Sequence, residues 1–311
     1  MKTRTPKNSA LTIPDLSDIV SRGLDFFQTN PPRRLQLKNR RLRFVIGSVN
    51  AYHTGRLLFA NQATLFADES NFMDMLRVYR PLIKDGVIRE AVIISASGEK
   101  DSIWEIREAK KAGLKTILLT CQASSTGAHL ANTCFVFQKS KEPYSYNFST
   151  YLGIILSSTR ENPAIIKKYL STIKTPRIFA KHDYYSFILP DRFRPIAEML
   201  KVKDDELFGP YSSLRAYATG QARHAKFICP SDRELVISLE PNRYFGQPGH
   251  RWEIKLPPRA GAGLVLSLAY HLAGLVQKAR PDHFKKNLPD YCARTGPRPY
   301  GRKKPFPLIV E

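Results

Sequence analysis

Between Ala91 and Thr120 the chain reads AVIISASGEKDSIWEIREAKKAGLKTILLT, and its chemistry is concentrated in the six residues Ser95-Ala96-Ser97-Gly98-Glu99-Lys100. Two hydroxyls, a glycine and a lysine follow an apolar run and precede a helical pattern. A helix N-terminus carries unpaired N–H donors and the positive end of the peptide dipoles, so such a loop attracts anions. In parallel sheets ligands bind beyond the carboxyl ends of the strands. The spacing therefore predicts a phosphate or carboxylate site on this loop.

The elements that must position the loop are legible on both sides of it. AVIIS is a continuous apolar run, as expected of a strand buried on both faces. Ile103, Ile106, Ala109 and Ala112 form a helical stripe that Gly113 ends, and Thr116 to Thr120 is a second strand. Upstream, Leu16, Ile19, Val20 and Leu24 recur at helical spacing. Arg43 to Ile46 reads as a strand, followed by Gly47-Ser48-Val49-Asn50, a helix through Asn61 and a helix from Asn71 to Asp85. Thr133 to Phe137 is a further strand, and a helix begins at Ser149. Arg160 to Pro176 reads as a connecting helix. Beyond it strands are expected at Arg177 to Ala180, Lys226 to Cys229, Glu234 to Ser238 and Trp252 to Leu256, with helices at Arg192 to Lys201 and Ala260 to Lys278. This alternation predicts an α/β protein of two doubly wound, flavodoxin-like parallel-sheet halves in tandem. The expected division is a helical extension over 1–40, a first domain over 41–160, a second over 175–290 and a basic tail over 291–311.

Composition narrows the function classes. At 311 residues, 42% hydrophobic and 24% charged, the chain is long enough for two cores. It has no apolar run of the length that a membrane helix needs and no signal-peptide core, which makes the cytoplasm the default expectation. Cys121, Cys134, Cys229 and Cys292 lack CxxC spacing, and the seven histidines include no HExxH pair, so no metal site is expected. The 49 Lys and Arg against 27 Asp and Glu give a net charge of +22. The excess gathers in Arg33 to Arg43 and in Arg294 to Lys304, without a zinc-finger or RNA-recognition signature. Nucleic-acid binding is therefore the weaker alternative to a small anionic ligand.

The segment ISASGEKDSIWEIREAKKAGLKTILLT resembles the signature of the SIS (sugar isomerase) domain family, which runs close to ISxSGxTxDTxxAxxxAKxxGxxxxxIT. FVIGSVNAYH resembles the first loop of that family, and SSTGAHLANTCFVF its next strand. AYATGQARHAKF and SLAYHLAGLVQKARPDHFKKNLP resemble later segments of double-SIS proteins, a group that includes the isomerase half of glucosamine-6-phosphate synthase and the phosphoglucose and phosphomannose isomerases.

The resemblance implies a tandem SIS fold, a phosphorylated sugar or amino sugar as ligand, and a homodimer. Gly47, Ser48, Asn50, Ser95, Ser97, Gly98, Lys100, Ser149 and Thr150 would form the phosphate and sugar site, with Lys100 where the family has threonine and Val49 where it often has serine. Aldose–ketose isomerisation needs an acid or base at the ring oxygen and a base that moves a proton between adjacent carbons. His224 matches the family histidine that assists ring opening from a neighbouring subunit, although the family glutamate before it is Gln221 here. Glu206 is the candidate general base; Asp205 competes with it, and the run Val202 to Glu206 also reads as a solvated turn. No residue matches the tail lysine of related synthases: Lys285 and Lys286 precede Asn287-Leu288, position 290 is Asp, and Lys303 and Lys304 remain. Such an enzyme would need no cofactor and would lack a glutaminase domain; the alternative is a non-catalytic phosphosugar sensor. Apart from the resemblance, Glu142 reads as a solvated loop acid rather than a substrate contact, Tyr144 and Tyr146 as packing on the next helix rather than stacking on a sugar ring, Trp104 as core or interface, and His53 equally as a ligand-facing residue or as a capping or surface one.

Overall fold

The apolar runs Arg43–Ile46 (β1) and Glu90–Ile94 (β3) enter a sheet covered on both faces. A computed structural model of the chain describes residues 13–37, 42–224 and 230–311. Alternate residues of each strand join different cores. Phe44, Ile46, Ala91, Ile93 and Leu118 face one side, and Val45, Val92, Ile94, Ile117 and Leu119 face the other. With β2 (Thr64–Ala67), β4 (Lys115–Thr120) and β5 (Thr133–Val136) they form a parallel sheet in the order β2-β1-β3-β4-β5.

A two-residue strand, β6 (Glu142–Pro143), precedes the second half. There β7 (Tyr184–Leu189), β8 (Leu214–Ala218), β9 (Glu234–Ser238) and β10 (Arg251–Glu253) form a second parallel sheet in the order β10-β9-β7-β8. The final strand, β11 (Ile309–Val310), returns to pair antiparallel with β6.

The helices are α1 (Leu16–Thr29), α2 (Asn50–Leu58), α3 (Phe72–Val78), α4 (Arg80–Lys84), α5 (Asp101–Lys111), α6 (Thr126–Leu130), α7 (Phe148–Thr159), α8 (Pro163–Ser171), α9 (Arg194–Phe208), α10 (Thr219–His224), α11 (Ala262–Ala279) and α12 (His283–Asp290). Residues of α3 and α5 pack on the outer face of the first sheet. Between the sheets, α1, α2, α7, α9 and α11 contribute to one continuous apolar cluster that reaches from Val45 of β1 to Ile237 of β9. Each fully buried Leu, Ile or Phe there contributes roughly 1.5–3 kcal/mol. Helix α1 belongs to this interior. Gly274 of α11 lets the two backbones touch, since a Cβ there would lie 2.7 Å from the Ser17 Cα. Lys278 pairs with Asp18 at 2.8 Å, and Gln277 Oε1 accepts the Leu16 N–H.

Several expected elements differ. The helix expected from Asn71 to Asp85 is two, because Pro81 in the first turn of α4 has no N–H to continue α3. Arg177 to Ala180 is not a strand: Phe179 N–H turns back to the Pro176 carbonyl and a 3-10 turn spans Phe179–Lys181. The strand is β7, a few residues later. The helix from Arg192 runs on to Phe208, so Val202 to Glu206 is helical and not a solvated turn. Strands β2 and β8 were not expected at all. The strand expected from Lys226 to Cys229 lies outside the described residues. Among the described residues no helix is long and apolar enough to cross a membrane.

Candidate functional site

In the first sheet the chain passes from β1 to β2 on one side and then crosses to β3 on the other. The crevice beyond the carboxyl ends of β1 and β3 is thus the switch point at which such sheets bind ligands. Two loops meet there: Gly47 to Asn50, leading into α2, and Ser95 to Lys100, leading into α5.

The second loop is held by its own side chains. Gly98 N–H reaches Ser95 Oγ at 3.2 Å, and Glu99 N–H reaches Ser97 Oγ at 3.3 Å. Each serine hydroxyl accepts one backbone proton and keeps its own to donate. Gly98 has φ +61° and packs so closely on the turn before α6 that a Cβ would lie 2.8 Å from the Ser125 Cβ. Its carbonyl accepts the Gly127 N–H at 2.8 Å, and Glu99 Oε1 accepts the Thr126 N–H at 2.8 Å. The loop is therefore preorganised by the Ser-rich turn that follows β4.

Lys100 caps α5 with φ +59° and ψ −126°. Its ammonium lies 3.8 Å from the Tyr300 ring centroid and 5.2 Å from that of Phe306, both on the C-terminal segment. Burial lowers its pKa, and the nearby Arg302 lowers it further. On the first loop Ser48 is half-buried, and Asn50 is 4% exposed with its Oδ1 lacking any hydrogen-bond partner.

Ser149 and Thr150 open α7 and are buried, and both hydroxyls are engaged by Glu142. The Glu142 carboxylate accepts the Phe148 and Ser149 N–H groups at 2.9 and 3.2 Å and the Ser149 and Thr150 hydroxyls at 3.0 and 3.4 Å. Glu142 is fully buried, not a solvated loop acid, because the helix N-terminus supplies the donors and the dipole that a buried carboxylate needs. Burial still pushes its pKa up, against these hydrogen bonds. Tyr146 is buried and donates to the Pro14 carbonyl, and Trp104 packs on Phe72.

Glu206 projects from α9 into the same interior. Its carboxylate is ion-paired with Lys203, one helical turn away, and burial pushes its pKa up. The Lys203 side chain is fully buried, donates to the Ser145 carbonyl at 2.7 Å, and lies 5.5 Å from the centroid of the Tyr270 ring. The Tyr270 hydroxyl is buried without a partner. Tyr151 and Tyr270 each feel the Glu206 and Glu142 charges, which add to burial in raising their pKa values. Cys121, pushed up to about 12 mainly by burial, borders the same group. The competitor Asp205 is exposed, and its neighbour Asp204 is taken up by the Ser213 and Leu214 N–H groups.

His224 stands apart. It is exposed at the end of α10, next to residues outside the described set. Gln221 accepts the Ala218 N–H and donates to Glu198, a structural use of its amide. His53 is partly buried near Glu198, and burial takes its pKa down to about 4. Among the described residues no group of three His, Cys, Asp or Glu is placed to hold a metal ion.

The second sheet has its own switch point, beyond β7 and β9. Its loops carry Asp191 and Glu240, whose carboxylates take the Gly220 N–H and the Thr219 hydroxyl. Both carboxylates are thus engaged by groups of the following segment, Thr219–Gly220. Sequence reasoning missed Lys203, Tyr151, Tyr270 and the aromatic cover of Lys100. Only the Lys203–Glu206 spacing, one turn of a helix, signalled any of them.

No protein-family profile matches the chain, and no curated protein is significantly similar to it in sequence. Solved structures are similar in fold. The C-terminal domain of glucosamine-fructose-6-phosphate aminotransferase from Francisella tularensis superposes with a TM-score of 0.54 at 14% identity, over 86% of this chain and 95% of that one. Tagatose-6-phosphate ketose/aldose isomerase from Escherichia coli gives 0.54 at 12% identity, over 85% and 91%. Glucosamine-6-phosphate deaminase from Thermotoga maritima gives 0.53 at 13%, over 84% and 91%. The expected fold class, two parallel-sheet halves of SIS type in tandem, is the fold of the chain.

Proposed function

From this tandem sugar-isomerase fold we propose that the chain binds a phosphorylated sugar or amino sugar in the crevice between β1 and β3. The observation that carries the reading is Asn50. A buried acceptor without a partner costs about 1–3 kcal/mol, and this one stands in the first turn of α2, on the loop that follows β1 beside the crevice. The phosphate takes the hydroxyl protons of Ser95 and Ser97 and the α5 terminus, with Lys100 at the rim. A sugar hydroxyl donates to Asn50 and meets Ser48. Ser149 and Thr150, bound to Glu142, shape the floor and reach the ligand only through that carboxylate.

The chemistry proposed is aldose–ketose or amino-sugar phosphate isomerisation, with Glu206 as the base that moves the proton between adjacent carbons. Its raised pKa, next to Tyr151 and Tyr270, supports that role. The exposure of His224 fits service to a neighbouring copy in a cytoplasmic homodimer. Proton transfer by side chains needs no cofactor. A second reading, a phosphosugar sensor without catalysis, is favoured by the Lys203 ion pair, which occupies Glu206, and by Gln221.

Incubating the pure protein with hexose and hexosamine 6-phosphates while following interconversion and melting tests both. Conversion with thermal stabilisation supports the isomerase. Stabilisation alone, about 2.7 kcal/mol at a hundredfold excess over Kd, leaves the sensor. Neither effect would sink phosphosugar binding.

A further inference from the structure

The segment over Lys100 carries cations that no carboxylate among the described residues pairs with. Residues 297–306 follow α12 and the π-helical turn Tyr291–Thr295, make one tight turn and are pinned at both sides. Tyr300 N–H and Arg302 N–H return to the Pro297 carbonyl, and Phe306 N–H bonds the Cys292 carbonyl at 2.8 Å. Phe306 stacks on Tyr144 at 4.9 Å with 12° between the planes, and β11 then pairs with β6.

This strap holds Arg298, Arg302, Lys303 and Lys304, all exposed and none in an ion pair among the described residues. The carboxylates around it are already used. Glu99 takes the Thr126 N–H, Glu142 takes the start of α7, Asp290 pairs with Arg294, and Glu311 pairs with Lys141. Among the described residues Asp101, bonded to the Trp104 indole at 3.3 Å, is the carboxylate that offsets Lys100. A fixed strap that brings more cations to a lysine beside an anion-binding loop is unfavourable unless a further anion arrives.

We propose that the ligand of this crevice carries a second anionic group, a further phosphate or a carboxylate, held at the rim by Lys100 and Arg302 while the Ser95–Gly98 loop holds the first. This rests on the phosphosugar reading above. The aromatic rings set the position of the Lys100 ammonium, and the turn at Gly301 sets that of Arg302. Ligands with one phosphate leave the rim charge unanswered.

Calorimetric titration with fructose 6-phosphate, fructose 1,6-bisphosphate and 6-phosphogluconate tests this, in the full chain and in Arg302→Gln. The readout is the ratio of affinities for a doubly and a singly anionic probe, in which any loss of grip common to both cancels. A charge-assisted contact predicts a ratio of about tenfold or more in the native chain, falling severalfold in the variant. Advantage for the bisphosphate alone identifies the second group as phosphate; advantage for phosphogluconate alone identifies a carboxylate. Equal affinities for all three probes, or an advantage that Arg302→Gln leaves intact, would overturn the proposal. Failure of every probe to bind the native chain would instead overturn the phosphosugar reading on which it rests.

Discussion

Val49 and Lys100, neither of them glycine, hold almost the same left-handed backbone geometry, φ +50° and ψ −111° against φ +59° and ψ −126°. Each is the residue before a helix that starts at the β1/β3 crevice. An L-residue in this region costs of order 1–3 kcal/mol and persists where surrounding structure enforces it, a pattern concentrated at binding sites.

Val49→Gly separates this strain from function. The Val49 side chain is 49% exposed, so little packing is lost while the strain is relieved. The variant is expected to be more stable by about 1 kcal/mol in urea unfolding. Its affinity for a phosphosugar should fall, since a looser loop must be ordered on binding. A less stable variant would mean that the geometry is not strained.

Glu142→Ala removes four hydrogen bonds at once and leaves two buried N–H groups at the start of α7 unanswered. The expected loss is about 3 kcal/mol or more, read as a lower denaturation midpoint. A loss below 1 kcal/mol would show that water or a neighbour replaces the carboxylate.

Glu105 on α5 is 2% exposed, its Oε1 has no partner, and burial, with help from Asp101, Glu69 and Asp68, raises its pKa to about 8. The folded state then holds a proton that the unfolded state releases above about 4.5. Stability from this group is full below that pH and is lost as pH rises towards 8. Glu105→Gln, which mimics the protonated form, should flatten this part of the pH–stability curve and be the more stable form at pH 8 to 9, by up to a few kcal/mol. Parallel curves for the two proteins would place the titration elsewhere.

Glu206→Gln should abolish interconversion, lowering kcat by about two orders of magnitude or more, while a phosphosugar still raises the melting temperature. It also strands the Lys203 ammonium in the interior, so it should lower stability. The double change Lys203→Met with Glu206→Gln removes both charges and should recover most of that stability without recovering activity. Full activity in either variant would remove Glu206 from the chemistry.

Local pattern carried the first half of the fold. The Ala91 to Thr120 unit keeps strand, loop and helix in one stretch, and the apolar centres of its strands, Ala91 to Ile94 and Ile117 to Leu119, are runs that sequence alone displays. The second half was harder. Phe179 and Ala180 look strand-like, yet Pro176 sets a turn there, and the apolar run Tyr184 to Leu189 forms the strand instead. Charges misled most. Glu142 and Lys203 are buried because of partners on other elements, an N-terminus and a carbonyl, that no local spacing announces. The placement of Tyr300 over Lys100 spans 200 positions and leaves no periodic trace.

That separation also orders events in time. During synthesis every strand of both sheets leaves the ribosome before residues 297–306 exist, and domains generally fold as they emerge. Contacts between distant positions form late, because closing so long a loop costs entropy before it brings any gain. The nascent protein therefore passes through a stage in which the Ser95–Lys100 loop is built but bare, its lysine without the aromatic rings that later cover it. The surroundings of Lys100 are completed last, when Tyr300 and Phe306 close over its ammonium.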